Sequence, residues 1–322
     1  MQFTTPINIP EGKPKISHTS GVLLLGSCFA ENIGGKFLEA KFESKQNPIG
    51  ILFHPFAIAS FLRRVAKQEL YTTADTFCYQ EVWSSFSAHS RLNSLSQAVL
   101  LTRLNTALQA TRQFLSSATH VIITLGTSWV YRHKESGQYV ANCHKIPQVN
   151  FVKEIASPTA IAGALQKSLT YLKEINPDIH VIYTVSPVRH LKDGLVENQQ
   201  SKAHLLTALH QFLSSTQNTF YFPAYEIVLD ELRDYRYYTA DMLHPNSVAV
   251  NYIWEKFIAT WISEDAALLM KKIDKIQRAV QHKAFNEDSE QHQLFLKKLE
   301  SKIATLQQEH PFIKFNFPLK GT

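Results

Sequence analysis

The chain has 322 residues, 44% hydrophobic and 19% charged, a balance that builds a sizeable core and excludes wholesale disorder. Lys and Arg total 33 against 27 Asp and Glu, leaving +6. This modest excess lacks the dense basic stretch of a dedicated nucleic-acid binder, so no nucleic-acid partner is expected.

Taken in chain order, the first twenty residues mix polar side chains with Pro6, Pro10 and Pro14. They carry neither a basic n-region nor an apolar h-region, so no secretory leader is expected. No apolar run approaches the ~20 residues that a bilayer span needs, and a soluble cytoplasmic protein is the expectation. Val22-Leu23-Leu24-Leu25 is a continuous apolar run, as in a strand buried on both faces. Gly26 ends it, and a helix follows from about Phe29, with Ile33, Phe37 and Leu38 on one face. Residues 54–67 predict another helix, while 71–91 are irregular and aromatic. Residues 95–116 predict a long helix, and 121–125 a second buried strand that ends at Gly126. Residues 139–151 read as loop, and 159–175 as a helix stopped by Asn176-Pro177-Asp178. A third strand is expected over 181–185, a helix over 201–214, a short strand over 219–222 and a helix over 246–261.

Strands alternating with helices predict an α/β fold, a parallel sheet covered on both faces. Ligands in such sheets bind beyond the C-terminal strand ends. From Glu264 the character changes: Ala267, Leu268, Met270, Ile273 and Ile276 recur at helical spacing among lysines, and Leu294, Leu299, Ile303 and Leu306 continue a looser pattern. Asn286-Glu287-Asp288 would cap the second helix. The chain thus divides into an α/β domain over 1–263 and a C-terminal helical hairpin over 264–322. The hairpin is expected to pack on the core as a cover, with self-association through it as the other reading.

Three cysteines, Cys28, Cys78 and Cys143, form no CxxC or CxxH pair, which argues against a disulfide framework and a structural zinc site. Gly26-Ser27-Cys28-Phe29-Ala30 sits where a strand turns into a helix. A nucleophile there faces the cleft, and the free N–H groups and positive dipole end of the helix stabilise a thiolate or an oxyanion; the bland reading is an ordinary turn with a buried cysteine. Asp241-Met242-Leu243-His244-Pro245-Asn246 precedes a helix. Asp241 can orient His244, and His244 can act as general base and then acid; otherwise both simply cap the helix. Gly126-Thr127-Ser128 ends a strand and offers a donor to a developing oxyanion, as does the amide of Gly50 in the turn Asn47-Pro48-Ile49-Gly50. In Asn142-Cys143-His144-Lys145, His144 or Lys145 would line the cleft or be structural. Arg189 and His190, just past the third strand, fall on the cleft side, and Arg189 suits an anionic group or a surface ion pair. The run Arg233, Asp234, Tyr235 and Arg236 is expected to support the D-x-x-H loop through ion pairs.

The order of these pieces resembles the blocks of the SGNH (GDSL-type) hydrolase superfamily, and more closely the GSCFA family, whose motif stands intact at Gly26 to Ala30. The resemblance covers roughly residues 20–260; Ser186-Pro187-Val188-Arg189-His190 and Arg233-Asp234-Tyr235-Arg236 also look like that family's. It implies a three-layer α/β/α fold with a flavodoxin-like sheet and a shallow site for ester chemistry. It also implies a small-molecule or glycan ester as substrate, with no metal and no organic cofactor. Where the superfamily has Gly-Asp-Ser, this chain has Gly26-Ser27-Cys28, so Cys28 takes the nucleophile position, with Ser27 a rival. Ser128 stands at the position of the superfamily's Asn donor. The expected arrangement is Cys28 attacking an acyl carbonyl, His244 taking its proton and Asp241 orienting His244. The N–H of Cys28, the N–H of Gly50 and the hydroxyl of Ser128 would form the oxyanion hole. An O-acyltransferase using the same site, and a non-catalytic binding protein on the same fold, are the alternative readings.

Overall fold

The computed structural model describes residues 4–282, 285–286 and 289–315. Strand β1 (Val22–Gly26) leads directly into helix α1 (Cys28–Glu39), and β2 (Ser44–Gln46) returns beside β1. Helix α2 (Pro55–Lys67), a short hairpin of β3 (Phe77–Tyr79) and β4 (Val82–Ser84), and α3 (Gln97–Leu115) lead to β5 (His120–Leu125). Strands β6 (Trp129–His133), β7 (Tyr139–Val140) and β8 (Phe151–Ile155) form a small antiparallel sheet before α4 (Pro158–Ile175). Then come β9 (His180–Val185), α5 (Leu195–Leu213), β10 (Thr219–Tyr221), the single turn α6 (Ala224–Glu226) and α7 (Ser247–Trp261).

The main sheet runs β10-β9-β5-β1-β2 with every pair parallel. Numbered by appearance in the sheet this is the order 2-1-3-4-5, the flavodoxin-like topology, with its switch point between β1 and β5. The period of two sends alternate strand residues to opposite faces. Val22, Leu24, Ile122 and Ile182 pack with Phe29, Ile33 and Phe37 of α1 and with Ile253, Phe257 and Trp261 of α7. Leu23, Leu25, Val121, Ile123, Val181 and Tyr183 pack beneath α2, α3, α4 and α5. Both layers are closed by large side chains. On the α1/α7 side Phe37 meets Trp254 and Phe257 edge to face, with ring centroids 5.0 and 5.8 Å apart, each contact worth about 1 kcal/mol beyond the area it buries. The result is the three-layer α/β/α fold, and no described helix is long and apolar enough to cross a membrane.

The C-terminal part is a hairpin of α8 (Glu264–Gln281) and α9 (Glu290–Glu309). Leu269, Ile273 and Ile276 close on Leu299, Ile303 and Leu306, with Ile313 beneath them, as a small core of their own. Ala266 at the start of α8 joins the α1/α7 core, which fixes the hairpin to the sheet domain. Of the expected cap of the second helix, Glu287 and Asp288 lie outside the described residues; the Ser289 hydroxyl takes that place, accepting from the N–H of His292 at 3.2 Å.

Candidate active site

Gly26 is the last residue of β1, paired with Thr124 of β5. Its φ is +132°, and a Cβ on it would stand 2.1 Å from the Thr124 carbonyl oxygen, so only glycine fits. The turn is pinned from both sides. The Gly26 N–H donates to Asn47 Oδ1 at 2.9 Å, and the Ser27 N–H to Thr124 O at 3.1 Å. Ser27 is fully buried as the N-cap of α1, its hydroxyl accepting from the Phe29 N–H at 3.3 Å. Cys28 is therefore the first residue of α1, where a backbone N–H has no acceptor within the helix. Burial pushes its thiol above the ordinary value; the N–H groups of Phe29 and Cys28 pull the other way, as does the charge of Lys202, while Glu31 adds to the rise.

The D-x-x-H segment is a tight loop before α7, with Met242 at φ +59°. Asp241 Oδ1 accepts from the Thr239 hydroxyl at 2.6 Å, the Leu243 N–H at 2.8 Å and the His244 N–H at 3.1 Å, and Oδ2 meets His244 Nδ1 at 2.7 Å. These donors, Thr239 first, hold the Asp241 carboxyl well below the usual carboxylate range. With Nδ1 engaged, Nε2 is the ring nitrogen left for a substrate. Asn246 caps α7 through the N–H groups of Val248 and Ala249, and its amide donates back to Arg236 O at 2.7 Å.

Cys28 and His244 line one cavity of about 580 Å³, together with Phe53, Trp129, Arg189 and His190. It opens beyond the C-terminal ends of β1, β5 and β9, as the topology requires. No hydrogen bond joins Cys28 Sγ to His244, whose ring is held through Nδ1 by Asp241. Arg189 lies over the rings of Tyr238 and Tyr235, 4.2 and 5.0 Å from their centroids, and its N–H donates to Leu243 O at 3.1 Å, tying the strand end to the D-x-x-H loop. In the run before that loop Arg236 pairs with Asp234 at 3.3 Å and Arg233 with Asp230 at 3.5 Å, and neither pair includes a residue of the loop.

Other expected residues stand elsewhere. The Gly50 N–H donates to Asn47 O at 2.8 Å inside its own turn, with His89 packed where a Cβ would be, so it is spent on local structure. The Ser128 hydroxyl is fully buried and without a partner, off the cavity wall. His144 is buried, its Nε2 donating to Ser85 O at 2.7 Å and its Nδ1 accepting from Asn93 at 3.3 Å; it holds the 85–93 loop. Lys145 lies in a side hollow of about 470 Å³ that shares Tyr131, Cys143 and Lys192 with the main cavity. Burial pushes the Cys143 thiol up to about 11.

One organising residue has no counterpart among the expected ones. Lys202 of α5 is buried to 1% exposure, and its Nζ donates to Gly126 O and Ser186 O, both at 2.7 Å. It clamps the ends of β5 and β9 together beneath the cavity. Burial lowers its ordinary value to about 7, against a counter-effect from Cys28. Asn198 and Ser201, on the same face at i−4 and i−1, work alike. Asn198 accepts from the His190 N–H at 2.9 Å, and Ser201 from the Ser128 N–H at 2.8 Å.

The sheet order, the helices on both faces, and a cysteine and an Asp–His pair that meet one cavity at the sheet's C-terminal edge define a three-layer α/β/α protein of flavodoxin-like topology. The chain belongs to the GSCFA family, which matches residues 21–257, and a second unit described as "GSCFA domain protein, C-terminal domain" matches 273–320. The hairpin outside the first match thus has a family counterpart of its own. No curated protein matches the chain. Among solved structures, a mutant acetyl esterase with acetate ion is similar at 13% identity and TM-score 0.36, over 79% of this chain and 99% of that one. A carbohydrate esterase family 3 from Talaromyces cellulolyticus is similar at 12% identity and TM-score 0.35, over 80% and 99%. A Clostridium thermocellum family 3 carbohydrate esterase is similar at 9% identity and TM-score 0.35, over 78% and 98%.

Proposed function

We propose that this chain hydrolyses small-molecule or glycan esters through a covalent acyl-enzyme, with Cys28 as nucleophile, His244 as base then acid, and Asp241 as the residue that orients His244. The observation that carries this reading is that Cys28, at the N-terminus of α1, and His244, bonded to an ionised Asp241, line one cavity beyond the sheet's C-terminal edge. Ser27 is passed over because its hydroxyl is buried and caps α1. Attack forms the Sγ–C bond and moves the carbonyl electron pair onto oxygen, while His244 takes the thiol proton. Collapse breaks the C–O bond, and His244 returns the proton to the departing alcohol. Water, deprotonated by the same imidazole, then cleaves the thioester and restores the thiol. An acceptor alcohol in place of water gives the transferase alternative. The Cys28 N–H, at the first position of α1 where the helix supplies no acceptor, is the backbone donor this reading assigns to the oxyanion.

Incubation with p-nitrophenyl acetate followed by peptide mass spectrometry is expected to find acetyl on Cys28 and none on Ser27. The acylation rate should climb with pH, because burial holds the thiol protonated at neutrality. Acetyl confined to Cys143, or turnover that survives Cys28→Ala, would remove this mechanism.

Arg189 makes no ion pair with a carboxylate among the described residues, and its guanidinium rests on two tyrosine rings at the cavity wall. It suits an anionic group on the acyl or alcohol part. Arg189→Ala is expected to raise KM about tenfold for p-nitrophenyl hemisuccinate and to leave KM for the acetate within about twofold. Equal effects on both esters would assign Arg189 to loop support alone.

A further inference from the structure

The oxyanion donors expected from the sequence leave a gap: the Gly50 N–H is bonded within its turn and the Ser128 hydroxyl is not on the cavity wall. His190, which lines the same wall, has a buried ring nitrogen with no partner, Nε2. A buried nitrogen left unpaired is rare enough to require an explanation. The ring is also firmly placed. Its backbone N–H is held by Asn198 Oδ1 at 2.9 Å, its neighbour Arg189 is bonded to Leu243, and its edge meets the Phe53 ring at 5.8 Å between centroids and 87°. The Phe53 carbonyl in turn accepts from the N–H groups of Gly126 and Thr127 at 2.9 and 3.1 Å.

We propose that His190, as the neutral Nε2–H tautomer, is a catalytic residue that donates a hydrogen bond to the oxyanion formed when Cys28 attacks an ester carbonyl. This rests on the acyl-enzyme reading and adds to it a donor beyond the Cys28 N–H. Burial pushes His190 down to about 4, and the charges of Lys202 and His244 press the same way against Asp193. The ring therefore stays neutral at physiological pH, donating without gaining or losing a proton. As the carbonyl pair moves onto oxygen, the Nε2–H bond strengthens; when the intermediate collapses, the pair returns to the C=O and the alcohol leaves with the proton from His244.

The test compares two reactions of the same sulfur. Acylation by p-nitrophenyl acetate develops an oxyanion, whereas alkylation by iodoacetamide does not. His190→Leu is expected to slow Cys28 acylation by roughly 10²-fold with KM unchanged, and to leave the Cys28 alkylation rate within about twofold. His190→Gln keeps an N–H donor and should recover much of the loss. Equal slowing of both reactions, or no slowing of acylation, overturns the proposal while leaving Cys28 as nucleophile. Absence of acylation in the wild type overturns both readings together. Should His190→Leu fail to fold, the imidazole ¹⁵N spectrum of the wild type gives the answer. Nε2 of His190 should shift when acetaldehyde forms a hemithioacetal on Cys28 and stay put on alkylation; an unmoved resonance in the adduct counts against the assignment.

Discussion

Replacing His244 by alanine is expected to lower kcat/KM for p-nitrophenyl acetate by roughly 10³-fold or more, mostly in kcat. The argument starts from the sulfur. Burial raises the Cys28 thiol above its ordinary value, so little thiolate exists at neutral pH and attack needs a base in the transition state. His244 is the residue placed for this. Its Nδ1 is fixed at 2.7 Å from Asp241 Oδ2, and Asp241 is itself held by the Thr239 hydroxyl and two backbone N–H groups. Asp241→Asn keeps the shape of the loop but turns an acceptor toward His244 into a donor, so the imidazole would present the wrong tautomer at Nε2. The loss in kcat should approach that of His244→Ala, and the double variant should cost little more than either single one, because the two act as a unit. Iodoacetamide labelling of Cys28 should persist in all three, which separates lost chemistry from lost structure. If His244→Ala turns over at the wild-type rate across short and medium acyl chains, ester hydrolysis through this pair is wrong, and the acyltransferase and binding readings take its place.

The parts of this site that are legible in the sequence are those encoded locally. Val22 to Leu25, followed by Gly26, has the continuous apolar run of a two-sided strand and the residue a tight turn demands, and β1 and α1 lie there. Asp241 and His244 are three residues apart in a loop, so their contact is set by the turn itself. The small sheet is not legible: β6 and β8 fall in segments where half-buried residues follow no clean alternation, and 139–151 reads as loop because β7 has only two residues. The start of α5 departs from expectation for a more instructive reason. The run Asn198-Gln199-Gln200-Ser201-Lys202 looks solvent-facing, so the apolar period begins only at 201, yet the helix starts at Leu195. Asn198, Ser201 and Lys202 are buried because they face strand-end carbonyls and amides rather than side chains. A polar i, i+3, i+4 set on a helix that otherwise packs on a sheet is the available sign. Gly50 and Ser128 depart from expectation for the converse reason, since whether a donor is free depends on contacts that only the tertiary fold supplies.

Gly26→Ala is expected to be among the most damaging single substitutions in the chain, lowering stability by roughly 3–5 kcal/mol. The added methyl would stand 2.1 Å from the Thr124 oxygen, 2.8 Å from its carbonyl carbon and 2.9 Å from its nitrogen, all backbone atoms of the central strand β5. A φ of +132° is strained for alanine even without that clash. Relief requires the β1–β5 pairing to open at its C-terminal end, where Ser27 donates to Thr124 and Leu52 donates to Gly26. Any such opening carries Cys28 with it, so the variant should lose acylation as well as stability. Gly35→Ala, inside the helix α1 that follows, supplies the control: nothing lies within 4 Å of its added Cβ, and removing a glycine from a helix interior should stabilise by about 1 kcal/mol. Denaturant unfolding of the two variants should give midpoints that move in opposite directions with unchanged slope. A Gly26→Ala protein with the wild-type midpoint would mean that the turn has an alternative path past β5, and the placement of Cys28 at the start of α1 would need to be drawn again.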